Sequence, residues 1–225
     1  MSLQTENLTR VYRLGSSTIA AVNDVNMAVK NATFVTIVGP SGSGKTTLLN
    51  LLGLNDSPTS GKIFFDHEDT YHFSGAKRRR TRLQQMGFVF QTFNLIPTLT
   101  ALENVELPMA LARRRQDDQR KVALQLLGIV GLEKRIDHRP KELSAGEMQR
   151  VAIARALCNS PKIILADEPT GELDSETGSE IIRLLSQLSK TQETTVIVAT
   201  HDKRLTEVAD ATYEIRDGKI VNTLQ

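Results

Sequence analysis

The chain has 225 residues, 40% of them hydrophobic and 24% charged, with a formal net charge of +2. That supplies a real core for one large α/β domain, excludes a disordered chain, and gives no field of the strength a nucleic-acid partner would require. A single cysteine, Cys158, excludes an internal disulfide, and no apolar run approaches the roughly 18 residues of a membrane-crossing helix.

Short β-type runs come first: NLTRVYRL, AVNDVNMAV and ATFVTIVG. The last ends in GPSGSGKTT, Gly39 to Thr47, which matches G-x-x-x-x-G-K-[ST] between a β-branched strand (Phe34 to Val38) and a helix beginning at Lys45. Glycines let such a loop curl until successive N–H groups point inward at phosphate oxygens, and the helix N-terminus adds its positive end. Lys45 is then placed to reach the β and γ phosphates, and the Thr46 hydroxyl to ligate magnesium. A Gly/Ser-rich strand-to-helix connection is the bland alternative, and the flanking strand and helix argue against it.

Turn chemistry in NDSPTSGKIFFD precedes a strand over Lys62 to Phe65, and MGFVFQ (Met86 to Gln91) is a further strand. From Thr98 to Leu157 the pattern is helical, carried by TALENVELPMALARRR, DDQRKVALQLLGIVGL and SAGEMQRVAIARALC. The basic runs Ala76 to Arg82 and Ala112 to Lys121 read as solvated faces, and Cys158 as a small buried hydrophobe. KIILADEP is an apolar strand ending in acids, SETGSEIIRLLSQLSK a helix, TTVIVATHD a buried strand, and ATYEIRDGKIV a hairpin turned at Asp217–Gly218. Strands hydrophobic on both faces need cover on both, so the expected fold is α/β: a mostly parallel sheet with a helical lobe inserted between strands.

Acids at the carboxyl end of such a strand sit where ligands of open α/β sheets gather. Asp167 is suited to hold magnesium, and Glu168 to orient and deprotonate a water attacking the γ phosphate. His201 also follows a buried strand. It is either a hydrogen-bond donor to the γ phosphate and attacking water or a structural, exposed histidine. Gln91, at the end of FVFQ, has several ordinary uses as well.

LSAGEMQRVAIARAL (Leu143 to Leu157), together with GPSGSGKTT, ILADEPTGELD and VIVATHD, closely resembles the ATP-binding subunits of ABC transporters in motif order and spacing over essentially the whole chain. GFVFQTFNLIPTLTALENVELPM and RPKELSAGEMQRVAIARAL look most like the lipoprotein-release and macrolide-efflux branch. The resemblance implies a phosphate-loop core with an antiparallel N-terminal β subdomain. Residues 1–92 and 158–225 would form the ATP-binding core, and residues 93–157 the helical subdomain. It implies adenine stacking on Tyr12 and phosphate contacts from Gly39, Ser41, Gly42, Ser43, Gly44, Lys45, Thr46 and Thr47. Gln91 would be the magnesium-sensing glutamine, with Thr46 and Asp167 as the other metal residues. Glu168 would be the base and His201 the switch histidine. Ser144 and Gly146 would touch the γ phosphate held by a second copy, and Asp174 would lie in a loop crossing the dimer interface.

The cofactors so implied are ATP and Mg2+. The partners are a second identical chain and two transmembrane permease subunits, with the protein cytoplasmic, peripheral on the inner face of the membrane and not inserted in it. Export, as in lipoprotein, peptide or drug extrusion, is the expected direction. A non-transport ABC ATPase driving a membrane-anchored regulator would use the same residues. A phosphate-loop kinase or GTPase is disfavoured by the signature serine and the lack of N-K-x-D, and a binding module without turnover by the supplied carboxylate. Three departures stand out: Ala145 in place of a glycine, Glu147 in place of glutamine (an acid that the branch also uses there), and Glu172 where the branch often has asparagine.

Overall fold

The computed structural model describes residues 2–15, 17–191 and 193–224. Strands β1 (Leu3–Leu14) and β2 (Ser17–Val29) form a long antiparallel hairpin with Leu3 opposite Val29 and Tyr12 opposite Ile19. The bulged register leaves Ala21 without a partner between Ala20 and Val22. With β4 (Ser60–Phe65) and β5 (Glu68–Asp69) the hairpin makes a sheet ordered β2-β1-β4-β5. Strand β2 begins ahead of the run AVNDVNMAV because pairing with β1 extends its exposed end at Ser17–Ala20, and β1 begins ahead of NLTRVYRL with Leu3 and Thr5 buried.

The second sheet is built from β3 (Phe34–Val38), β6 (Met86–Val89), β7 (Ile163–Asp167), β8 (Thr195–Thr200), β9 (Ala211–Arg216) and β10 (Lys219–Leu224), ordered β10-β9-β3-β8-β7-β6. All neighbours are parallel except β9 and β10, the expected hairpin at Asp217–Gly218. Successive side chains alternate between faces. Ile163, Leu165, Ile197 and Ala199 join α1 (Lys45–Leu52) and the antiparallel sheet in one core. Ile164, Ala166, Val196 and Val198 join the helices in another.

Those helices include α3 (Ala101–Leu111), α4 (Gln116–Ile129) and α5 (Ala145–Leu157), which pack on one another between β6 and β7 in the chain, and α6 (Ser175–Thr191). The first of them starts at Ala101 rather than Thr98. Thr100 and Glu103 form a capping box, and Asn104, fully buried, accepts from Ile96 N–H and donates to the Ile96, Leu99 and Thr100 carbonyls. That net holds residues 96–100 in turns. The basic run at Ala76 lies within α2 (Gly75–Gln85), whose one buried side chain is Thr81. A short α7 (Lys203–Glu207) follows β8.

Because β3, β7 and β8 are in register, with Val38 opposite Thr200 and Asp167 opposite Ala199, their carboxyl ends meet at one edge. The phosphate-loop sequence, Glu168, His201 and (beyond β6) Gln91 all leave the sheet there.

Candidate functional site

The loop from Gly39 to Gly44 is held between two hairpins. Ser43 N–H donates to the Pro40 carbonyl, and Gly218 N–H at the β9–β10 turn donates to Ser43 O at 3.0 Å. Gly44 caps α1 at φ 104°, and a Cβ there would stand 2.0 Å from the Ala21 carbonyl in β2, so only glycine fits. The N–H groups of the first turn open into a cavity of about 620 Å³ lined by Ser41, Lys45, Thr46, Gln91, Glu168 and His201, among others.

Lys45 is buried. Its ammonium donates to the Gly39 and Pro40 carbonyls at 2.9 and 3.2 Å and lies 3.7 Å from Glu168 Oε1. The other carboxylate oxygen of Glu168 is 2.9 Å from His201 Nδ1, whose ring remains largely exposed. Glu168 sits at φ 45°, in the left-handed region that non-glycine residues seldom occupy, with its N–H fixed on Ala199 O at 2.9 Å. Local strain is thus placed at the carboxylate facing the cavity. Its neighbour Asp167 has a buried Oδ1 with no hydrogen-bond partner. Burial pushes the Asp167 carboxyl above its ordinary range, with the Thr46 hydroxyl acting against that. A carboxylate with an orphaned oxygen beside a threonine hydroxyl is a donor set that suits a hard divalent cation such as Mg2+.

Gln91 lines the same cavity and donates from Nε2 to Glu172 Oε1 at 3.0 Å. Glu172, though exposed, thus meets the cavity's glutamine.

The structure does not bring Ser144, Gly146, Asp174 or Tyr12 to this cavity. Ser144 caps α5, accepting from Glu147 N–H at 3.2 Å. Gly146 packs on α6, where a Cβ would stand 2.4 Å from Thr177 Cγ2. Asp174 caps α6, accepting from the N–H groups of Glu176 and Thr177 at 3.0 Å each and from the Thr177 hydroxyl at 2.7 Å. Together the N-terminal turns of α5 and α6 form a second edge, separate from the phosphate loop. Tyr12 donates its hydroxyl to Asp56 at 2.7 Å, and the Arg10 guanidinium covers its ring at 4.6 Å.

Two residues tie these edges together without a signal in the linear pattern. Gln149 of α5, fully buried, donates to the Pro169 carbonyl at 2.7 Å, fastening the helix to the loop after Glu168. Arg155, half-buried, donates to the Asn94 and Phe93 carbonyls, fastening the far end of α5 to the segment after Gln91. Of the apolar residues in that segment, Leu95 packs on the helical core and Ile96 is exposed. The adjacent groove, about 200 Å³, is lined by Phe88, Phe90, Pro108 and Arg155.

The family model for the ABC transporter matches residues 22–171. An uncharacterized ABC transporter ATP-binding protein of Methanocaldococcus jannaschii, MJ0796, is 46% identical over 222 residues, covering 97% of this chain and 94% of the relative. YvrO of Bacillus subtilis, described in the same terms, is 44% identical over 219 residues, covering 97% and 95%. The dimeric structure of the MJ0796 cassette in a post-hydrolysis state bound to ADP and Pi superposes with a TM-score of 0.92 at 43% identity, over 99% of this chain and 98% of that one.

Proposed function

Because this chain belongs to the ABC transporter family, we propose that it is the subunit that binds and hydrolyses ATP. It works as a homodimer beneath two membrane-spanning subunits. The observation that carries the reading is the meeting of Lys45, Glu168 and His201 in one cavity at the mouth of a glycine-rich loop.

Ser41 to Thr47 wrap the phosphates, and Lys45 exchanges its bonds to the Gly39 and Pro40 carbonyls for phosphate oxygens. Thr46, Asp167 and Gln91 would hold Mg2+, which when bound offsets the charge on the phosphates. Glu168 takes the proton of the attacking water, and His201 bonds that water and the γ phosphate. Adenine stacks on the ring face of Tyr12 that Arg10 leaves open. Ser144 and Gly146, turned away from the chain's own cavity, reach the γ phosphate of the second copy, with Asp174 beside them at the interface. Hydrolysis then dissolves a contact that ATP had made.

Residues 93–157 act as the helical lobe and 1–92 with 158–225 as the nucleotide core. The groove beside Phe88 and Phe90, bounded by the segment after Gln91, seats the membrane partner. No helix among the described residues is long and apolar enough to cross a membrane, which fits a peripheral subunit. The branch resemblance supports extrusion as the direction of transport.

Turnover and binding measured together test the reading. Glu168→Gln is expected to lower phosphate release by about 10²- to 10⁴-fold with ATP still bound, the range for loss of a general base. Lys45→Ala is expected to lose ATP binding itself. Unchanged phosphate release by Glu168→Gln would overturn the assignment.

A further inference from the structure

Glu147 is the charged residue of the signature that contacts Ser144 itself, and a carboxylate beside the phosphate contact proposed for Ser144 should repel the anion. The structure shows where that charge is directed. Oε2 of Glu147 accepts the Ser144 N–H at 2.8 Å, completing a capping box in which the Ser144 oxygen accepts from Glu147 N–H at 3.2 Å. Oε1 faces Arg135, whose Nε donates to it at 3.1 Å.

Arg135 is well placed for this. It comes from the connection between α4 and α5, where its own N–H bonds the Leu132 carbonyl. Just after it, the Ile136 and His138 carbonyls accept the N–H groups of Leu102 and Ala101 in the first turn of α3. A second nitrogen, Nη1, lies 3.1 Å from His138 Nε2. The backbone on either side of Arg135 is therefore pinned, and the guanidinium reaches the carboxylate from a fixed base. The Ser144 N–H, with help from the Ser144 hydroxyl and Arg135, holds the Glu147 carboxyl below its ordinary range, so the charge is present and needs a counter-charge.

We infer that Arg135 is a positioning residue of the trans phosphate site: it draws the Glu147 carboxylate aside and neutralises it, leaving the Ser144 hydroxyl and the first-turn N–H groups of α5 open to the γ phosphate of a second copy. The inference rests on the two-copy reading of Ser144 given above. As an ordinary exposed ion pair, Arg135–Glu147 would contribute almost nothing to folding. Its effect is instead on the potential met by an incoming phosphate. The same logic makes Arg135 dispensable once residue 147 is an uncharged glutamine, which keeps the cap.

The experiment compares four chains carrying Glu168→Gln: the parent, Arg135→Ala, Glu147→Gln, and Arg135→Ala with Glu147→Gln. Each is titrated for ATP-dependent dimerisation by sedimentation at low and high salt, with melting temperature as a folding control. Expected is a dimer dissociation constant raised roughly tenfold by Arg135→Ala at low salt and less at high salt, as for a screened charge. Its melting temperature should stay within about 2 °C of the parent. The double variant should return to the parent's dissociation constant. The inference is overturned if Arg135→Ala dimerises like the parent, or if the double variant stays as weak as Arg135→Ala. It is equally overturned if weakening comes with a large loss of melting temperature. A parent that fails to dimerise at all would instead overturn the two-copy reading, and the role of Arg135 with it.

Discussion

Glu172 shows how much of the site's design rests on the polarity of single atoms. A carboxylate only accepts hydrogen bonds, so the end of the Gln91 amide that meets Glu172 Oε1 has to be the NH2 group. The carbonyl oxygen is thereby left as the free end, the one a cation would take. Glu172→Ala frees the amide to rotate. Its expected outcome is ATP affinity about tenfold weaker when measured with magnesium, the usual scale of an outer-shell loss, and unchanged when measured in EDTA. Equal losses under both conditions would assign Glu172 a different task. From sequence, Glu172 was noticeable only as an unusual residue in GELD. Its contact with Gln91 spans 81 positions and has no trace in spacing. Lys45 was legible from its place in the G-x-x-x-x-G-K-[ST] loop at the start of α1, and Asp167 and Glu168 from theirs at the end of an apolar strand; both are local properties.

At the scale of elements, the strands of the parallel sheet could be read directly, since burial on both faces leaves an unbroken apolar run such as IILAD or TVIVAT. Helix α2 could not, because a helix with only Thr81 buried shows no apolar stripe. The five residues of α7 are too few for any period to register. The junction of α5 with α6 was hidden for another reason: Gly146 is small because Thr177 lies against it, a tertiary fact. Gly146→Ala puts a methyl 2.4 Å from Thr177 Cγ2 and is expected to destabilise by about 1–3 kcal/mol, as overpacking does. Thr177→Ser removes that methyl yet keeps the hydroxyl that bonds Asp174, so the double variant should recover most of the loss in a urea titration. Failure to recover would mean that the junction is not the source of the strain.

Helix α7 also supplies an acid-sensitive joint. Arg204 hydrogen-bonds the Asp202 side chain and holds its carboxyl below the ordinary aspartate value of 3.8. The same guanidinium reaches the Ser175 carbonyl at the start of α6 at 2.7 Å. A depressed carboxyl pKa stabilises the fold above the unfolded value and ceases to do so as pH falls through the folded one. Stability should therefore drop as pH is lowered below about 4. Asp202→Asn should flatten that part of the profile, and an unchanged acid limb would contradict the assignment.

Across the whole molecule, two cores share one parallel sheet, and the residues expected to act on a nucleotide divide into two edges. One edge holds Lys45, Glu168, His201 and Gln91 around the cavity. The other holds Ser144 and Asp174 at the N-terminal turns of α5 and α6. Gln149 and Arg155 tie α5 rigidly to the loops that line the first edge. A triphosphate held by both edges at once must be held by two chains, and in the function proposed above α5 is the element that links it to the groove beside Phe90. The most direct measurement is the sedimentation mass and bound-nucleotide count of Glu168→Gln with saturating Mg-ATP, alongside the same chain carrying Ser144→Arg. Expected is an ATP-loaded dimer for the first and an ATP-loaded monomer for the second. A Glu168→Gln chain that stays monomeric when saturated with ATP, or a Ser144→Arg chain that dimerises equally well, would contradict it.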